Sequence, residues 1–490
     1  MPRLKILFTS PECFPFAKAG GLGDVVGALP LALAARGHDV RVVLPRYRST
    51  KKFESQLLAG GLGVPFGAHT VWSGVRRADL KSARAGQPPV PLYLLEHDRL
   101  FDRGGIYNDE HGSFGDDLER WSFLCRGSLE LCRYLGFEPD VIHVHDWPTA
   151  MVPLLLDAEE RHTALGRAAT VLTIHNMGYQ GWFQRNQLPQ SGLRWDGPAL
   201  ASLDMHGQLN LLKGGLVHST IVSTVSPRYA MEIQTPSGGE GLDFLLRQRG
   251  SDVVGVLNGI DEHAWNPEAD PFTAAPFSWH DLSGKAACKA ALQRELGLPE
   301  HPDVPLIGVV SRLVGQKGID VIAEALDDIL DLGTQVIILG SGETWAENSF
   351  TARSHASDRF RAWIGMNEGL AHRIEAGSDL FMMPSRYEPC GLNQMYSQRY
   401  GTLPIVRAVG GLDDTVENGL TGFKLEELSA ASLTATTAWA VDVYRHDRQR
   451  FHAMQVRSMQ KRMGWSDAAR QYEALYRLAA GRRRLRFMAA

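Results

Sequence analysis

Cysteine is scarce in this sequence: there are five among 490 residues, at positions 13, 125, 132, 288 and 390. The number is odd, the positions are scattered, and no pair has the C-x-x-C spacing of a redox or metal motif. This distribution argues against a framework of disulfide bonds and against a structural zinc site. We therefore expect a protein of a reducing compartment.

Long apolar runs and an excess of one charge are also missing. No stretch approaches the ~18 consecutive apolar residues that span a bilayer, and the apolar run near the N-terminus is too short for a signal peptide. The formal net charge is only -4, which gives no strong field for binding nucleic acid or an anionic membrane. The sequence predicts a soluble, cytoplasmic protein with neither nucleic acid nor membrane among its partners.

The composition is that of a globular protein. The combined share of glycine (50 residues) and proline (25 residues) in the 490-residue chain is well below the roughly 25–30% that marks low-complexity chains. Of all residues, 44% are hydrophobic. At roughly 100–200 residues per domain, the length suggests two to four domains. Two large domains are the simplest interpretation.

Short apolar runs alternate with segments of helical periodicity in the first half of the chain. Because these runs are continuous rather than alternating, they predict strands covered on both faces, as in a parallel sheet. Between them, Leu22–Arg36 has apolar residues at helical spacing and is followed by Gly37. The predicted strands are Lys5–Thr9, Val40–Leu44, Leu92–Leu95, Val141–His145, Val171–His175 and Thr220–Ser223.

The same alternation restarts in the second half. Between the halves, Asn258–Ser283 contains Asn-Pro and Asp-Pro pairs, a composition suited to a linker. The predicted fold class is α/β, with two Rossmann-like, doubly wound parallel-sheet domains and a ligand between them at the carboxyl ends of the strands. In this half the predicted strands are Leu306–Val310, Gln335–Leu339, Leu380–Met383 and Leu403–Val406, and the predicted helices are Asp320–Leu332, Leu392–Tyr400 and Leu433–Arg445.

The segment Lys18–Asp24 (KAGGLGD) places glycines at the start of the first predicted helix. Glycines there let backbone N–H groups approach an anion, and the helix dipole adds favourable potential. Lys18 supplies a full positive charge. The segment favours a site for a phosphate or a sugar, with a purely structural turn as the alternative.

A dinucleotide site is a rival interpretation of the same glycines. Gly21, Gly23 and Gly27 are one residue off the dinucleotide fingerprint, and Arg46 and Arg48 follow the second strand, where a 2′-phosphate would bind. This would make the protein an NADP-dependent oxidoreductase. Against it, about ten residues separate the first strand from the glycines, whereas fingerprint glycines follow their strand directly.

Two further segments follow predicted strands of the second half. Ser311–Gly318 places Arg312 and Lys317 on a glycine-containing loop, a suitable arrangement for a diphosphate; an ordinary surface loop is the alternative. Pro384–Gln394 places Glu388 where it can accept hydrogen bonds from sugar hydroxyls, and a helix opens near Gly391 with free N–H groups for phosphate. Its cysteine, Cys390, is a weaker candidate for a nucleophile because no histidine is nominated as its base.

Histidines end two predicted strands of the first half. His143 and His145 share a strand face and could hold a metal, but no cluster of acidic residues with ligand spacing accompanies them. No Asp-x-Asp occurs in the chain, which weakens the case for a metal-bound nucleotide diphosphate. We therefore expect cationic side chains and helix N-termini to neutralise a phosphate in place of a metal.

Together these segments resemble the bacterial-type glycogen synthases, which are closely similar to plant starch synthases. They follow the order of that family across nearly the whole chain. Single blocks are shared with other glycosyltransferases, but the combination is specific to the family. The blocks are Lys18–Leu22, His145–Trp147, Thr173–Gly181, Val256–Asp261, Ser311–Gly318, Pro384–Gln394 and Tyr400–Thr415.

The resemblance implies a GT-B fold, in which two Rossmann-like domains face a deep cleft. It divides the chain into a starch-synthase-type catalytic domain over 1–258, a nucleotide-sugar-binding domain over 259–465 and a helix over 466–490 that crosses back to the first domain. It implies transfer of glucose from ADP-glucose to the non-reducing 4-hydroxyl of an α-1,4-glucan such as glycogen. It also implies that transfer retains the anomeric configuration and needs neither metal nor cofactor, and that the leaving phosphate assists deprotonation of the acceptor on the same face.

Site residues are carried over by the resemblance as well. Arg312 and Lys317 neutralise the departing diphosphate, Glu388 holds the glucose, and His175 binds the sugar near the reacting carbon. Asp146 lies on the sugar side and completes the catalytic set. The implied substrate-binding residues are Lys18, Gly20, Gly21, Asp24, Asn258, Met366, Cys390, Gly391 and Leu392.

Two positions depart from the family pattern. Many relatives have an aromatic residue at the position of Met366, where it stacks on the adenine, and Ala19 replaces a frequent threonine. Met366 can still pack on a base through its sulfur. Other function classes stay open at this point: another GT-B enzyme, such as a sugar-nucleotide epimerase or a UDP-sugar transferase, an NADP-dependent oxidoreductase, or a non-catalytic nucleotide-binding module. The oligomeric state is unknown.

Overall fold

The computed structural model of the protein describes residues 2–82, 86–110, 112–193 and 198–489. The chain divides into two compact units. Unit 1 comprises residues 1–259 and 465–490, and unit 2 comprises residues 260–464. None of the helices in these described ranges is long and apolar enough to cross a membrane.

Unit 1 is built on a sheet of nine strands with helices on both sides. The described strands of unit 1, nine of which form this sheet, are β1 (Lys5–Thr9), β2 (Asp39–Pro45), β3 (Gln56–Phe66), β4 (His69–Leu80), β5 (Val90–Glu96), β6 (Asn108–Asp109), β7 (Gly112–Ser113), β8 (Val141–His145), β9 (Ala169–Ile174), β10 (Trp182–Gln184), β11 (Asp204–Met205), β12 (Gln208–Asn210), β13 (Ile221–Thr224) and β14 (Val253–Gly255). Its helices are α1 (Gly21–Ala35), α2 (Asp98–Phe101), α3 (Asp117–Tyr134), α4 (Asp146–Thr149), α5 (Met151–Ala158), α6 (Pro198–Leu203), α7 (Leu211–His218), α8 (Pro227–Glu232) and α9 (Asp243–Arg249).

The order of the large sheet is β14-β13-β9-β8-β1-β2-β5-β4-β3. Its strands from β14 to β5 are parallel, and every residue of β8 and β9 is buried. Because helices cover both faces, these strands are mostly apolar, as predicted. The antiparallel hairpin β3–β4 at the edge was not predicted, since its exposed side chains and glycines interrupt any apolar run.

Unit 2 is a second doubly wound domain. Its strands are β15 (Leu306–Val310), β16 (Gln335–Gly340), β17 (Phe360–Ile364), β18 (Leu380–Met383), β19 (Leu403–Arg407) and β20 (Phe423–Leu425). Its helices are α10 (Ser283–Glu295), α11 (Ile319–Asp331), α12 (Thr344–Ala356), α13 (Glu368–Gly377), α14 (Asn393–Arg399), α15 (Gly410–Thr415), α16 (Ala430–His446) and α17 (Arg448–Met459). All six strands are parallel, in the order β17-β16-β15-β18-β19-β20. The α/β, parallel-sheet prediction is confirmed in both units.

The predicted linker is instead a fixed part of unit 2. The indole of Trp265 stacks between the rings of His372 and Tyr396, with 3.8 Å between ring centroids on each side. The carboxylate of Asp270 is buried and accepts hydrogen bonds from His372 and from the hydroxyl of Tyr400. The proline-rich composition therefore reflects an irregular backbone that packs, rather than a flexible connection.

The last helix, α18 (Trp465–Ala489), belongs to unit 1. Its Glu473 forms an ion pair with Arg36 at the end of α1, and the guanidinium of Arg483 donates to the carbonyl of Gly166. The hydroxyl of Tyr476 lies 2.8 Å from Nδ1 of His143 on β8. The helix thus packs behind the central strands of the unit 1 sheet.

Candidate active site

Each unit carries candidate site residues in segments at the carboxyl ends of adjacent parallel strands. In unit 1 these are the segments after β1, β8 and β9, which we call half-site 1. In unit 2 they are the segments after β15, β18 and β19, which we call half-site 2. In both sheets the strands concerned are neighbours, so their loops converge at one edge, where doubly wound domains bind ligands.

The glycine segment of half-site 1 is organised by Glu12, a residue that the sequence analysis missed. One carboxylate oxygen, Oε2, accepts hydrogen bonds from the backbone N–H groups of Ala19 (2.6 Å) and Gly20 (2.9 Å). The other oxygen accepts the hydroxyl of Tyr107 (2.7 Å). Two of the N–H groups predicted to face an anion of the substrate therefore face a carboxylate of the protein itself.

Lys18 and Asp24 form an ion pair beside this segment. Nζ of Lys18 lies 2.7 Å from Oδ1 of Asp24, across the first turn of α1. Burial raises the pKa of the Asp24 carboxyl, and the Lys18 ammonium opposes that rise. The side chain of Lys18 is 43% exposed, so solvent and ligands can reach it.

Asp146 and His175 follow the neighbouring strands β8 and β9. The carboxylate of Asp146 accepts a 2.6 Å hydrogen bond from the backbone N–H of His175 and thereby joins the two strand ends. Asp146 itself has a left-handed backbone, with φ of 54°, a strained conformation of the kind often found at functional sites. Burial raises the pKa of Asp146 to about 7, although the backbone hydrogen bonds oppose the rise.

His145 determines which nitrogen of His175 carries the proton. Nδ1 of His145 lies 3.0 Å from Nε2 of His175, and burial lowers the pKa of both rings, to about 3 for His175. Nε2 of His145 is buried without a partner among the described residues. A bare ring nitrogen there costs less than an unsatisfied N–H, so we assign the shared proton to Nδ1 of His145. His175 then carries its own proton on Nδ1.

His143 is occupied by the protein on both sides. Its Nδ1 bonds the hydroxyl of Tyr476, and its Nε2 lies 2.6 Å from Oγ1 of Thr173, which in turn bonds Ser223. Neither ring nitrogen is left for a metal. Across the described residues no group of three or more His, Cys, Asp or Glu side chains is arranged to hold a metal ion. Asn258, another predicted site residue, is buried, and its Oδ1 has no partner in the described structure.

In half-site 2 the central contact joins the loops after β15 and β18. Nζ of Lys317 lies 2.5 Å from Oε2 of the buried Glu388, and the hydroxyl of Ser385 donates to the same oxygen at 3.1 Å. Arg312 is exposed, and its guanidinium bonds the side chain of Gln316 at 3.1 Å. The structure therefore brings the predicted residues Lys317 and Glu388 into direct contact.

Backbone contacts lock these two loops together. The N–H of Arg386 donates to the carbonyl of Gln316, and the guanidinium of Arg386 bonds the carbonyl of Gly315 and the carboxylate of Asp320. A third loop adds Glu343, which accepts from the N–H of Gly315 at 2.9 Å. Groups that follow two other strands, β16 and β18, thus fix the backbone of the Arg312–Lys317 loop.

The turn at Gly391 depends on the side chain of Gln394, a second residue that the sequence analysis missed. Nε2 of Gln394 lies within 3.1 Å of the carbonyl oxygens of Cys390 and Gly391 and of Oγ1 of Thr415. Because C=O and N–H point in opposite directions in a trans peptide, the N–H groups of Gly391 and Leu392 face away from Gln394. No hydrogen bond to either group is found among the described residues.

Glycine is required at this turn and at the start of α15. Gly391 has φ of +70°, and a Cβ there would lie 2.4 Å from Oε1 of Gln394. A Cβ at Gly410 or Gly411 would lie 2.0 Å from the carbonyl oxygen of Glu388 or Cys390. The Gly-Gly pair after β19 therefore allows two backbones to pack together, which supports the position of Glu388.

The other two predicted residues of unit 2 differ sharply in exposure. Cys390 is a buried cysteine that forms no disulfide bond in the described structure. Met366 is 92% exposed and follows Gly365, whose φ is +126°. Its thioether is therefore fully available to a ligand.

The two arginines of the dinucleotide hypothesis are engaged elsewhere. Arg46 forms an ion pair with Glu96, and Arg48 forms one with Asp102. Both guanidinium groups are therefore already paired with carboxylates of the protein, which argues against a site for a 2′-phosphate.

Comparison with known proteins identifies the family. The family model described as "Starch synthase catalytic domain" matches residues 5–248, and "Glycosyl transferases group 1" matches residues 294–452. "Glycogen synthase 1" of Geobacter metallireducens is 48% identical over 99% of this chain and 97% of its own. The chain belongs to the glycogen synthase family.

Other relatives agree. "Glycogen synthase 1" of Geobacter sulfurreducens is 49% identical over 97% of this chain and 96% of its own. The catalytic domain of Starch Synthase IV from Arabidopsis thaliana, solved bound to ADP and acarbose, matches with a TM-score of 0.88 and 33% identity, covering 98% of this chain and 100% of that chain. As a glycogen synthase family member with the GT-B fold, the protein is a glucosyltransferase of glycogen synthesis. The oxidoreductase, epimerase and non-catalytic alternatives are excluded.

Proposed function

We propose that the glucosyl donor is ADP-glucose and that the acceptor is the non-reducing 4-hydroxyl of an α-1,4-glucan, with retention at the anomeric carbon. The ADP and acarbose bound by the starch synthase relative support this pair of ligands. The observation that carries the proposal is the contact between Lys317 and Glu388. A cation suited to a diphosphate beside a carboxylate suited to a sugar supports a sugar diphosphate as the donor.

Stabilising the leaving group is the main task of half-site 2 in this mechanism. As the anomeric bond breaks, negative charge grows on the diphosphate, and charges fixed in advance at that point lower the barrier. Lys317 and Arg312 supply the charges, and the N–H groups of Gly391 and Leu392 supply neutral donors. Cys390 contributes through its backbone, whose carbonyl is anchored by Gln394.

Glu388 binds the glucose rather than attacking it. Its Oε2 is held by Lys317 and Ser385, and the side chain is buried. A double-displacement mechanism places two carboxyl groups about 5 Å apart across the bond, whereas Glu388 is neutralised by an ammonium. We infer that the acceptor attacks on the face that the diphosphate leaves and that a phosphate oxygen takes the proton of the acceptor hydroxyl.

Half-site 1 supplies the sugar side. His175, protonated on Nδ1, donates to a sugar oxygen, and Asp146 fixes the backbone of His175. Lys18, Gly20, Gly21 and Asp24 form the edge that meets the donor, and Asn258 offers its unpartnered Oδ1 to a hydroxyl. In unit 2, Met366 packs on the adenine through its thioether.

A two-donor transfer assay tests the proposal. Purified protein is incubated with glycogen and either ADP-glucose or UDP-glucose, and incorporated glucose is digested with an exo-hydrolase specific for α-1,4 bonds. We expect incorporation mainly from ADP-glucose, with complete release by the hydrolase. Preference for UDP-glucose would contradict the donor assignment, and resistance of the product to the hydrolase would contradict the linkage and the retention.

A further inference from the structure

Glu12 is a buried acidic residue whose carboxylate accepts hydrogen bonds from uncharged groups. It is 3% exposed and lies between β1 and α1. No cation is found bonded to its carboxylate in the described structure; its hydrogen-bond donors are the N–H groups of Ala19 and Gly20 and the hydroxyl of Tyr107. A buried carboxylate is costly unless its acceptor sites are filled, so these neutral donors hold it at the glycine segment.

The carboxylate fixes the backbone that leads into α1. Gly20, the residue before the helix, provides no side-chain cap; the acceptor comes from Glu12, eight residues upstream. The first-turn N–H groups of Gly21 and Leu22 make no hydrogen bond that the described structure contains. Glu12 therefore uses two N–H groups of the segment and leaves the next two for another acceptor.

The side chains of Glu12 and Lys18 pass close to Gly23, at a position where only a glycine leaves room for them. A Cβ at Gly23 would lie 3.2 Å from Oε2 of Glu12 and 3.0 Å from Cγ of Lys18. The absence of a side chain at Gly23 thus allows both the carboxylate and the Lys18 stem to pass. On the opposite side, the partly buried ring of Tyr107 packs against Trp121, with 5.8 Å between centroids, and its hydroxyl donates to Oε1.

We propose that Glu12 is a positioning residue for donor binding: it holds the segment Lys18–Leu22 in its binding conformation before the donor arrives. This inference rests on the proposed role of that segment in binding the donor. Glu12 does not touch the donor itself. It removes the cost of ordering a glycine-rich segment during binding, so its loss should weaken donor binding and leave glucan binding unchanged.

The test compares Glu12→Ala, Glu12→Gln and Tyr107→Phe in steady-state assays and in calorimetric titrations with ADP. For Glu12→Ala we expect the KM for ADP-glucose and the Kd for ADP to rise about 10–100-fold, the scale of misplacing a binding group by an ångström, with the KM for glycogen changed less than about twofold. Glu12→Gln keeps an acceptor oxygen for both N–H groups and should restore the donor KM to within about fivefold of the unmodified protein. Glu138→Ala, an exposed position of unit 1, is the matched control.

A purely structural role predicts a different pattern. Glu12→Ala would then lower the thermal stability and the active fraction while the donor KM stays unchanged, and that result would overturn the proposal. If Glu12→Ala does not fold, Tyr107→Phe decides: it frees Oε1 and should raise the donor KM about 2–5-fold, and an unchanged KM rejects the proposal. Failure of the proposed function is distinct, because the unmodified protein would then neither transfer glucose from ADP-glucose nor bind ADP.

Discussion

Lys317 and Glu388, which are 71 positions apart in the chain, meet in an ion pair with 2.5 Å between Nζ and Oε2. Each comes from a loop at the end of a different strand, β15 or β18, and these strands are neighbours in the sheet. Without a donor, the ammonium is balanced by the carboxylate. In the proposed function, the same ammonium contacts both the phosphate of the donor and the carboxylate of Glu388.

Removing either cation of half-site 2 should slow the chemical step. In Lys317→Ala and Arg312→Ala we expect kcat to fall about 10²–10³-fold, because leaving-group charge is stabilised mainly in the transition state. The KM for glycogen should change little. Steady-state kinetics with ADP-glucose measure both effects. Arg353→Ala, which removes an arginine that bonds the exposed Asp327 of unit 2, is the control; near-normal turnover of either site variant would reject the leaving-group role.

Gln394 should be required for binding the phosphates. Gln394→Ala removes the donor that anchors the carbonyls of Cys390 and Gly391, so the N–H groups of Gly391 and Leu392 lose their fixed direction. We expect kcat/KM for ADP-glucose to fall at least about tenfold. Thr415→Val, which removes the third contact of Gln394 and the hydrogen bond from Oγ1 of Thr415 to the carbonyl of Gly411, should have a smaller effect. Equal kcat/KM in Gln394→Ala and the unmodified protein would show that this turn is fixed by other contacts.

Asp146 should make unit 1 less stable as the pH rises. Its pKa is about 7 in the folded protein and about 3.8 without the fold, so the folded state binds the proton more tightly. Stability contributed by the neutral form is complete below pH 4 and is lost between pH 4 and 7. Asp146→Asn should therefore raise the free energy of unfolding at pH 8 by about 1–4 kcal/mol, with a higher melting temperature, and leave both unchanged at pH 4. Thermal unfolding at the two pH values decides; an equal or lower melting temperature at pH 8 contradicts the assignment.

An aromatic residue at position 366 should strengthen binding of adenine nucleotides. Met366 is 92% exposed, and a tyrosine there would offer a flat ring for stacking on the base, worth about 1 kcal/mol. Met366→Tyr is expected to lower the Kd for ADP about fivefold, as measured by calorimetry. Met366→Leu tests whether contact area alone suffices. Unchanged ADP affinity in Met366→Tyr would place the base elsewhere.

The regular parts of the fold follow from the sequence. Four strands, Lys5–Thr9, Val141–His145, Leu306–Val310 and Leu380–Met383, have the bounds that their apolar runs predict. This succeeds because a parallel strand between two helix layers is apolar on both faces. The edge hairpin β3–β4 lacks that constraint, and its mixed pattern gave no signal.

The sequence by itself determined the type of sheet, the family and the residues at the strand ends, because these depend on local composition and on ordered motifs. Only the tertiary structure decided which side chains support them. Glu12 and Gln394 resemble ordinary polar residues in the sequence, and the signal that they are special lies in their burial and in the carbonyl and N–H groups that they bond. Hydrogen-bond satisfaction inside a protein depends on which backbone groups the fold leaves without partners, and no local pattern records that.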